Sequence, residues 1–482
     1  MRCLLPPPQL TALLQKSCPM TAGVGRRAAV AVAVSGGVDS SVAAALLQKT
    51  ALYDRVIGLH MQNWNQQDEE HVPASCSERD FRDAEAVCKH LGIGLHKASF
   101  AAEYWTGVFE PYVADIHDGR MPNPDVACNS VIKFGTMKEY AHRMLGVDFV
   151  ATGHYARLWD NDWTGKDDVP QCLHELIDDG QFDWIFQSRN GHGRSTRGEN
   201  TSLPPLLLAA ADKSKDQSYF LAGVNGDSFR NVLFPLGNLI KTSHNDNGDD
   251  DDDDDNDDTT SVRQIAIQEG LPTANKRDSM GICFVGKRRF GEFISQYLPE
   301  TPIPGTFVCV DTGTVIGNHK GSQFFTIGQG ARIGGASERW FVAGRSAQDP
   351  TVVLVCAGTD HPALYTDTLS VRDVNWISGE IPAPLLQDGS TLLVEARTRH
   401  LEPLISAELR LAESSVGGGV LVKFCRPVRA ITPGQMAVFY IGEVCIGGGA
   451  ITSKGPACHD ENINVDFATT VNGLPVQRQT LV

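Results

Sequence analysis

Apolar residues in the first half of the chain follow two alternating patterns. Four short runs rich in β-branched and small apolar residues are typical of buried strands, namely residues 28–34, 55–61, 94–98 and 148–152. Four longer stretches carry apolar residues at helical spacing, namely residues 41–48, 77–91, 101–117 and 129–145. Strands that alternate with helices predict a doubly wound parallel sheet, in which ligands bind at the carboxyl ends of the strands.

The second half of the chain has a different pattern. Beyond Pro302, short β-rich runs are separated by glycines, at residues 306–310, 340–343, 351–355, 391–397, 419–424 and 436–441. Short strands of this spacing predict one or two small β domains of barrel type. Before them, residues 206–210 resume the alternating pattern and residues 262–269 have a helical one.

Two polar segments interrupt the predicted α/β domain. Residues 160–202 are rich in Asp, Gly, Asn and Arg, and ten aspartates without a basic residue fall between Asp246 and Asp258. These ten account for most of the formal net charge of −16 over 482 residues. Such a run of aspartates repels itself and buries no apolar surface, so the second segment is expected to be a solvated, disordered insertion. The first segment has few apolar residues and is also expected to be an insertion. The charge of the remaining chain does not exclude a nucleic acid as a partner.

The N-terminal segment and the cysteines bear on the compartment. The first 38 residues contain four basic residues and no acidic one, which favours an organellar transit peptide over the alternative of a disordered leader. An apolar content of 41% without a long apolar stretch argues against a membrane protein. Twelve cysteines without a Cys-x-x-Cys pair fit a reducing compartment, such as the mitochondrial matrix or the cytosol.

The hexapeptide Ser-Gly-Gly-Val-Asp-Ser at residues 35–40 joins the first predicted strand to the first predicted helix. Successive glycines let backbone N–H groups approach an anion, and the helix N-terminus directs its partial positive charge to the same point. The loop lacks the lysine of a Walker motif and is interpreted as a pyrophosphate-binding loop. Asp39 has the wrong charge for a phosphate ligand, so we expect it to help hold Mg²⁺.

Two cysteines are candidates for sulfur chemistry. Cys128 follows a proline-stiffened loop and precedes a predicted helix, and a helix N-terminus favours a thiolate. Asp125, three residues earlier, can polarise or deprotonate a bound group. Cys283 is followed by basic residues at 287–289, whose charges also favour a thiolate. Taken alone, each cysteine fits a small buried apolar residue better than it fits a catalyst.

Five motifs occur in the order found in the tRNA-specific 2-thiouridylases of the ATP pyrophosphatase-loop superfamily, and the chain resembles a mitochondrial member of that family. They are Ser-Gly-Gly-Val-Asp-Ser at 35–40, Asn-Pro-Asp-Val-Ala-Cys-Asn at 123–129, Ala-Thr-Gly-His-Tyr-Ala-Arg at 151–157, Lys-Asp-Gln-Ser-Tyr-Phe-Leu at 215–221 and Gly-Ile-Cys-Phe-Val-Gly at 281–286. The resemblance spans roughly residues 29–453.

The resemblance implies an α/β fold, with a doubly wound ATP pyrophosphatase domain followed by small β-rich domains that include a C-terminal β-barrel. The expected divisions are a transit peptide at 1–27, the catalytic domain at 28–300 with insertions at 160–202 and 243–260, a central β domain at 301–378, the barrel at 379–455 and a tail at 456–482. The expected location is the mitochondrial matrix.

The activity implied by the resemblance is ATP-dependent sulfur transfer to the wobble uridine of the tRNAs for Lys, Glu and Gln. The C2 oxygen of the uridine is adenylylated and is then replaced by a persulfide sulfur. Cys283 resembles the residue that carries the persulfide, and Cys128 resembles the one that attacks it, which releases sulfide or leaves a Cys128–Cys283 disulfide. Asp125 would act as acid and base. An upstream sulfur-relay protein or cysteine desulfurase is implied as the donor.

The resemblance also assigns binding residues. Those expected to bind ATP are Ala33, Val34, Ser35, Gly36, Gly37, Val38, Asp39, Ser40, Met61 and Gly153. Those expected to meet the flipped-out target base are Asn123, Pro124 and Asp125. Those expected to contact tRNA elsewhere are His154, Lys215, Asp216, Gln217, Arg397, Arg399 and Gln435.

Three alternatives remain open at this point. A pyrophosphatase-loop amide ligase would need the ATP loop but no paired cysteines, and a catalytically inactive RNA-binding module would keep the loop as a relic. Asp125, Cys128 and Cys283 would also permit an iron–sulfur cluster in place of a persulfide. Without the resemblance, Arg397 and Arg399 equally fit a solvated strand face.

Overall fold

The computed structural model describes most of the chain. The described residues are 28–50, 52–64, 76–159, 204–242, 261–277, 282, 284–286, 288–387, 389–412 and 419–460, with short pieces within 172–184 and 464–480. The predicted transit peptide, nearly all of the predicted insertion at 160–202, the aspartate-rich run and Cys283 lie outside these ranges.

A parallel sheet forms the centre of the first domain. Its five strands have the order β3-β2-β1-β4-β7, and all neighbours are parallel. The strands are β1 (Ala28–Ala33), β2 (Tyr53–Gln62), β3 (Gly94–Ser99), β4 (Phe149–Ala151) and β7 (Val232–Leu233). The order of the strands reverses between β1 and β4, which is where such a sheet opens a crevice for a ligand.

Helices cover both faces of this sheet. The longer ones are α1 (Val38–Lys49) and α2 (Cys76–Leu91), then α3, which runs through Ala101–Tyr104, Trp105–Phe109 and Glu110–His117, and α4, which runs through Pro124–Ala127, Cys128–Met137, Lys138–Tyr140 and Ala141–Leu145. The shorter ones are α5 (Ser218–Leu221), α6 (Val262–Gln268) and α7 (Phe290–Ile294). Val30 and Val32 of β1 pack with α1 and α6, whereas Ala31 packs with α3 and α4 on the other face. The predicted doubly wound sheet is confirmed.

Two β units follow. The central one is a sheet of order β10-β11-β8-β9, made of β8 (Gly305–Cys309), β9 (Val315–His319), β10 (Trp340–Arg345) and β11 (Val352–Ala357). The second is an antiparallel barrel of β12 (Tyr365–Trp376), β13 (Leu392–Arg397), β14 (Ile405–Leu411), β15 (Val420–Arg429), β16 (Met436–Ile441) and β17 (Val444–Lys454). Pairing of β12 with both β15 and β17 closes it. The predicted C-terminal barrel is confirmed.

The barrel begins earlier than the division expected at residue 378. β12 lies before that point, yet it pairs with two barrel strands. The sequence did not mark β12 or β17 as a strand, because neither contains an apolar run like those from which the other strands were predicted. β12 alternates polar and apolar residues, and β17 is rich in glycine. Strand pairing therefore places Tyr365 at the start of the barrel.

The barrel and the parallel-sheet domain are interlocked. Strands β5 (Arg157–Trp159) and β6 (Leu206–Leu208) of the first domain extend the barrel sheet beside β17. The side-chain amide of Asn375 donates to the carbonyls of Ala222 and Val224 at 2.8 and 2.7 Å. The barrel therefore has a fixed place against the first domain. Within the described part of the chain, no helix has the length and apolarity needed to cross a membrane.

Candidate functional site

The loop at the carboxyl end of β1 folds around its own hydroxyl groups. The Ser40 hydroxyl accepts from the backbone N–H of Ser35 at 3.2 Å and donates to the carbonyl of Gly37 at 3.0 Å. The Ser41 hydroxyl donates to the same carbonyl at 2.8 Å. Helix α1 then begins at Val38 without a hydrogen bond from a capping side chain. Amides left uncapped at a helix N-terminus are the groups that bind a phosphate.

Two close backbone approaches hold this loop. Gly36 has a φ of +81°, and a Cβ on it would lie 2.2 Å from the carbonyl oxygen of Asp80 in α2. A Cβ on Gly153, just after β4, would lie 2.8 Å from the backbone nitrogen of Ser40. Only glycine fits at either position. The loop therefore packs closely between α2 and the end of β4, where the strand order reverses.

Asp39 is held by a network that the sequence did not indicate. Its Oδ1 accepts from the Tyr155 hydroxyl at 2.7 Å and pairs with the ammonium of Lys241. The Lys241 side chain is 2% exposed, and its backbone N–H donates to Asp212 at 2.9 Å. Lys241 stands outside every motif, beside the aspartate-rich run, and no pattern marks it. The loop thus gains from elsewhere in the chain the lysine that its own sequence lacks.

The site fits the phosphates of a nucleotide better than it fits a resident metal ion. The first-turn amides of α1, which no side chain caps, and the Lys241 cation suit phosphate oxygens. Among the described residues, no three His, Cys, Asp or Glu side chains could together hold a metal ion. Mg²⁺ is usually bound through one or two carboxylates and the substrate phosphates. Asp39 therefore fits as one ligand of a Mg²⁺ that arrives with the nucleotide.

Replacing Lys241 by methionine should weaken ATP binding about tenfold or more, roughly 1.4 kcal/mol, because a buried cation beside the loop is lost. Isothermal titration with ATP, with and without Mg²⁺, measures the change. Lys213→Met is the control, since Lys213 is 57% exposed and pairs with Glu443 instead. Unchanged affinity in the Lys241 variant would limit that ammonium to a structural role at Asp39.

A second lysine ties the loop to α2. The Lys276 ammonium donates to the carbonyl of Gly36 at 2.9 Å, to Asp80 at 2.8 Å and to Asp83 at 2.5 Å. Burial acts to lower the pKa of Lys276, but the hydrogen bonds and charges of the two aspartates outweigh it and raise that pKa. Lys276 is therefore charged at neutral pH and holds the loop from its outer side.

The helix that carries Cys128 begins a turn earlier than the sequence pattern predicts. Its first residue is Pro124, and the Asn123 side chain caps it by accepting from the N–H of Asp125 at 3.0 Å. The N–H of Cys128 already bonds to helix carbonyls. Cys128 therefore lies one turn inside the helix and not at its N-terminus, so less of the helix dipole acts on it. The stretch Cys128–Met137 is π-helical, a distortion often found at functional sites.

The residues on both sides of the second candidate cysteine belong to the same apolar cluster as the first. The Cys128 side chain is 7% exposed and belongs to an apolar cluster on the α3 and α4 face of the sheet. Ile282 and Phe284 pack in the same cluster. The fully buried Phe284 ring lies 5.5 Å from the ring of Tyr112, centroid to centroid. Cys283 itself lies outside the described residues, but both of its neighbours belong to the cluster that contains Cys128.

The nucleotide loop and this cluster lie at the same edge of the sheet. Ala33 and Met61, near the carboxyl ends of β1 and β2, pack against the cluster that contains Cys128. Asp125 is exposed in the first turn of α4. Burial raises the pKa of Tyr112, and the nearby charge of Asp125 adds to the rise. The cluster that contains Cys128 thus reaches the carboxyl ends of β1 and β2, where the nucleotide loop begins.

His154, a predicted contact of the tRNA, is a buried residue and not an exposed one. It is 8% exposed, its Nδ1 lies 2.7 Å from the Thr152 hydroxyl and its Nε2 lies 3.3 Å from the Lys133 ammonium. Burial, with the charge of Lys133, lowers the pKa of His154 well below its ordinary value of 6.5. His154 is therefore neutral at pH 7, and a contact with RNA through it would be a hydrogen bond and not an ion pair.

Burial of His154 predicts a loss of stability in acid. Its pKa is lower in the folded state, so the unfolded chain binds more protons below pH 6.5, and the free energy of unfolding falls as the pH drops below that value. His154→Gln should flatten this dependence between about pH 6.5 and 5 in urea titrations. His117→Gln is the control, because the His117 side chain is 44% exposed. Equal slopes in both variants would contradict the prediction.

Two predicted tRNA-binding residues pair with each other. Asp216 and Arg397 are 1% and 10% exposed and lie 3.4 Å apart, oxygen to nitrogen. The Asp216 carboxylate also accepts from the N–H and hydroxyl of Ser218, and the Arg397 guanidinium lies 5.2 Å from the centre of the Tyr440 ring. The alternative of a solvated strand face is wrong for Arg397. The pair joins the first domain to the barrel.

The neighbouring predicted contacts lie at the same junction. The Gln217 side chain accepts from the N–H of Tyr155 at 2.9 Å. Arg399, 34% exposed, donates to the carbonyl of Ala430 at 2.6 Å. Lys215 is half-buried. Because Gln217 holds the backbone of Tyr155, which bonds to Asp39, this junction is connected to the nucleotide loop.

The parallel sheet, with its strand order and an uncapped glycine loop at the reversal point, defines an ATP pyrophosphatase-loop nucleotide-binding protein. Family models agree with this class. The model described as "tRNA methyl transferase HUP domain" matches residues 28–250 and 256–287, the "tRNA methyl transferase PRC-barrel domain" matches 291–356 and the "Aminomethyltransferase beta-barrel domain" matches 366–451.

Curated relatives cover nearly the whole chain. Mitochondrial tRNA-specific 2-thiouridylase 1 of Mus musculus is 40% identical over 89% of this chain and 92% of its own. The tRNA-specific 2-thiouridylase MnmA of Psychrobacter sp. is 40% identical over 88% and 92%. The solved U34-tRNA thiolase NcsA of Methanococcus maripaludis has 17% identity and a TM-score of 0.29 over 60% of this chain and 70% of its own, which is too distant to support an argument. The chain belongs to the tRNA-specific 2-thiouridylase family, and the resemblance stated from its motifs is confirmed.

Proposed function

We propose that the protein replaces the C2 oxygen of the wobble uridine in the tRNAs for Lys, Glu and Gln by sulfur, at the expense of ATP. Family membership confirms the predicted class of reaction, thiolation of a tRNA uridine by a sulfurtransferase. The position of the uridine, the choice of tRNAs and the roles of individual residues belong to the proposal. The observation that carries it is that Cys128 and both neighbours of Cys283 belong to one apolar cluster, against which Ala33 and Met61 near the carboxyl ends of β1 and β2 also pack.

The first step activates the uridine. A carbonyl oxygen is a poor leaving group until transfer of the ATP α-phosphate makes it part of AMP, with pyrophosphate released. The amides of residues 38–40 and the Lys241 cation support binding of the phosphates, and Asp39 supports Mg²⁺ bound to them. The target base must leave its stack to reach this edge, and Asn123, Pro124 and Asp125 are the proposed contacts of the flipped base.

The second step transfers sulfur. A persulfide on Cys283 supplies its outer sulfur to C2 of the uridine, and the C2–O bond breaks as AMP leaves. The Cys128 thiolate attacks the inner sulfur on Cys283, so the sulfur–sulfur bond of the persulfide breaks and a Cys128–Cys283 disulfide forms. Asp125 acts as the acid and base that exchanges a proton with the uridine. An external thiol must reduce the disulfide before the next turnover, and a donor protein must reload Cys283.

The remaining contacts and the location complete the proposal. His154, residues 215–217, Arg397, Arg399 and Gln435 are proposed to form or support the tRNA-binding surface at the domain junction. We place the protein in the mitochondrial matrix, in line with the mitochondrial relatives of mouse, chicken and human. Bacterial relatives are equally similar, so the location rests mainly on the basic N-terminal segment.

Mass spectrometry of tRNA nucleosides tests the function. Cells that lack the protein should lose 2-thiouridine from the wobble position of organellar tRNAs for Lys, Glu and Gln, and the wild-type gene should restore it. Unmodified tRNA, ATP and a persulfide donor should give 2-thiouridine and AMP in equal amounts with the purified protein. AMP release without tRNA dependence would favour the ligase alternative, and unchanged 2-thiouridine in the cells would refute the proposal.

A further inference from the structure

The segment that leads into α4 is held by a turn of the barrel. The backbone N–H of Met121 donates to the carbonyl of Pro433 at 3.0 Å, and the side-chain amide of Gln435 donates to the carbonyl of Met121. Both backbone polar groups of Met121 are thus satisfied by residues 432–435, which precede β16. This turn, residues 432–435, is called the barrel turn below.

The barrel turn touches the segment with its backbone and is itself fixed. Gly434 has a φ of +93°, and a Cβ on it would lie 2.6 Å from the backbone nitrogen of Met121. The N–H of Gly434 donates to the carbonyl of Ile451 in β17 at 2.8 Å, and the N–H of Gln435 donates to Thr432 at 3.2 Å. The contact therefore leaves little room for the turn and the segment to move independently.

The central β domain meets the same segment from another side. The guanidinium of Arg345, the last residue of β10, lies 2.0 Å from the position that a Cβ on Gly119 would occupy. Residues 119–121 therefore lie where all three domains meet. Two residues further on, Asn123 caps α4, and Cys128 follows one turn later.

We propose that Gln435 and Gly434 are positioning residues, which set the segment from Met121 to Asp125 in the place where the target base is read. This inference rests on the proposed function. It gives Gln435 a role different from the direct tRNA contact that the resemblance implies, because its amide nitrogen already donates to Met121. The barrel then acts on the catalytic step and not only on the affinity for tRNA.

Hydrogen exchange tests the contact without any substrate. Gln435→Glu keeps the shape of the side chain but replaces the amide donor by a carboxylate, and Gln435→Ala removes it. Both variants should exchange the amides of residues 119–128 at least about tenfold faster than the wild type, because the carbonyl of Met121 loses its side-chain donor and the segment is held less firmly against the barrel turn. Gln387→Ala, at an exposed glutamine of the barrel domain, is the control and should change nothing there. Unchanged exchange in both Gln435 variants would overturn the proposal.

Kinetics separate positioning from tRNA binding. At saturating tRNA, Gln435→Glu should lower the single-turnover rate of 2-thiouridine formation about tenfold, while the Kd for tRNA in filter binding stays within about twofold. A weakened Kd with an unchanged rate would make Gln435 a tRNA contact and overturn the proposal. If the wild-type protein forms no 2-thiouridine, the proposed function fails, whereas the exchange experiment still decides whether the barrel turn positions the segment.

Discussion

Replacing Cys128 by serine should abolish 2-thiouridine formation, with a single-turnover rate at least about 10³-fold below that of the wild type. A serine hydroxyl cannot attack the inner sulfur on Cys283, so the sulfur–sulfur bond stays intact and the sulfur bonded to C2 of the uridine remains linked to Cys283. ATP binding should be unchanged, because the side chain of Cys128 lies in the apolar cluster and not in the loop of residues 35–40. Nucleoside mass spectrometry and titration with ATP measure the two effects.

A matched cysteine controls this experiment. Cys88 is 1% exposed in the same domain, and burial raises the pKa of its thiol to about 11, so it is a neutral thiol at pH 7. Cys88→Ala should keep the rate of thiolation. Without reductant, the wild type should form a Cys128–Cys283 disulfide after one turnover, visible as a cross-linked peptide that the Cys128 variant lacks. Normal thiolation by Cys128→Ser would contradict the assigned role and reopen the ligase alternative.

Replacing Gly36 by alanine should abolish ATP binding and lower the free energy of unfolding by about 2 kcal/mol or more. The left-handed backbone alone costs a non-glycine residue roughly 1–2 kcal/mol, and the new Cβ would meet the carbonyl of Asp80. To relieve the clash, the loop must move away from α2, which also breaks the bond between Lys276 and the carbonyl of Gly36. Urea titration and calorimetry with ATP measure both effects.

Gly37→Ala is the matched control for folding. Gly37 has a φ of −92°, and its added Cβ would meet only the Ser35 hydroxyl, at 3.5 Å. The free energy of unfolding should therefore change by less than about 1 kcal/mol. An equal loss of unfolding free energy in both alanine variants would show that the contact of Gly36 with α2 is not what requires glycine there. Normal ATP affinity in a folded Gly36→Ala protein would show that the loop does not bind the nucleotide.

Much of the fold could be predicted from local patterns. Four of the five strands of the parallel sheet were predicted, and their observed limits differ from the predicted ones by only one or two residues. The two-residue β7 was missed. Strands β5 and β9 were also missed, as were β12, β14 and β17 of the barrel. The three barrel strands carry polar residues or glycines at the positions where an apolar run would mark a strand, and pairing around the barrel stabilises them.

The candidate site was predicted only where its residues are contiguous. The chemistry of the glycine loop and of residues 123–128 can be predicted from the order and spacing of neighbouring residues. Lys241 and Lys276 were missed, because each is a single lysine whose partners at this site lie between 193 and 240 residues away in the chain. Tyr155 was part of a motif, but its bond to Asp39 has no signal in the sequence.

The sequence by itself determined the class of this protein, because a phosphate loop needs only a strand, two glycines and a helix start, all of which are local. Only the tertiary structure decided which cations serve that loop, how deeply Cys128 lies in its helix and which barrel residues hold the base-binding segment. These are contacts between distant parts of the chain, and their energy depends on burial and distance, which no local pattern records.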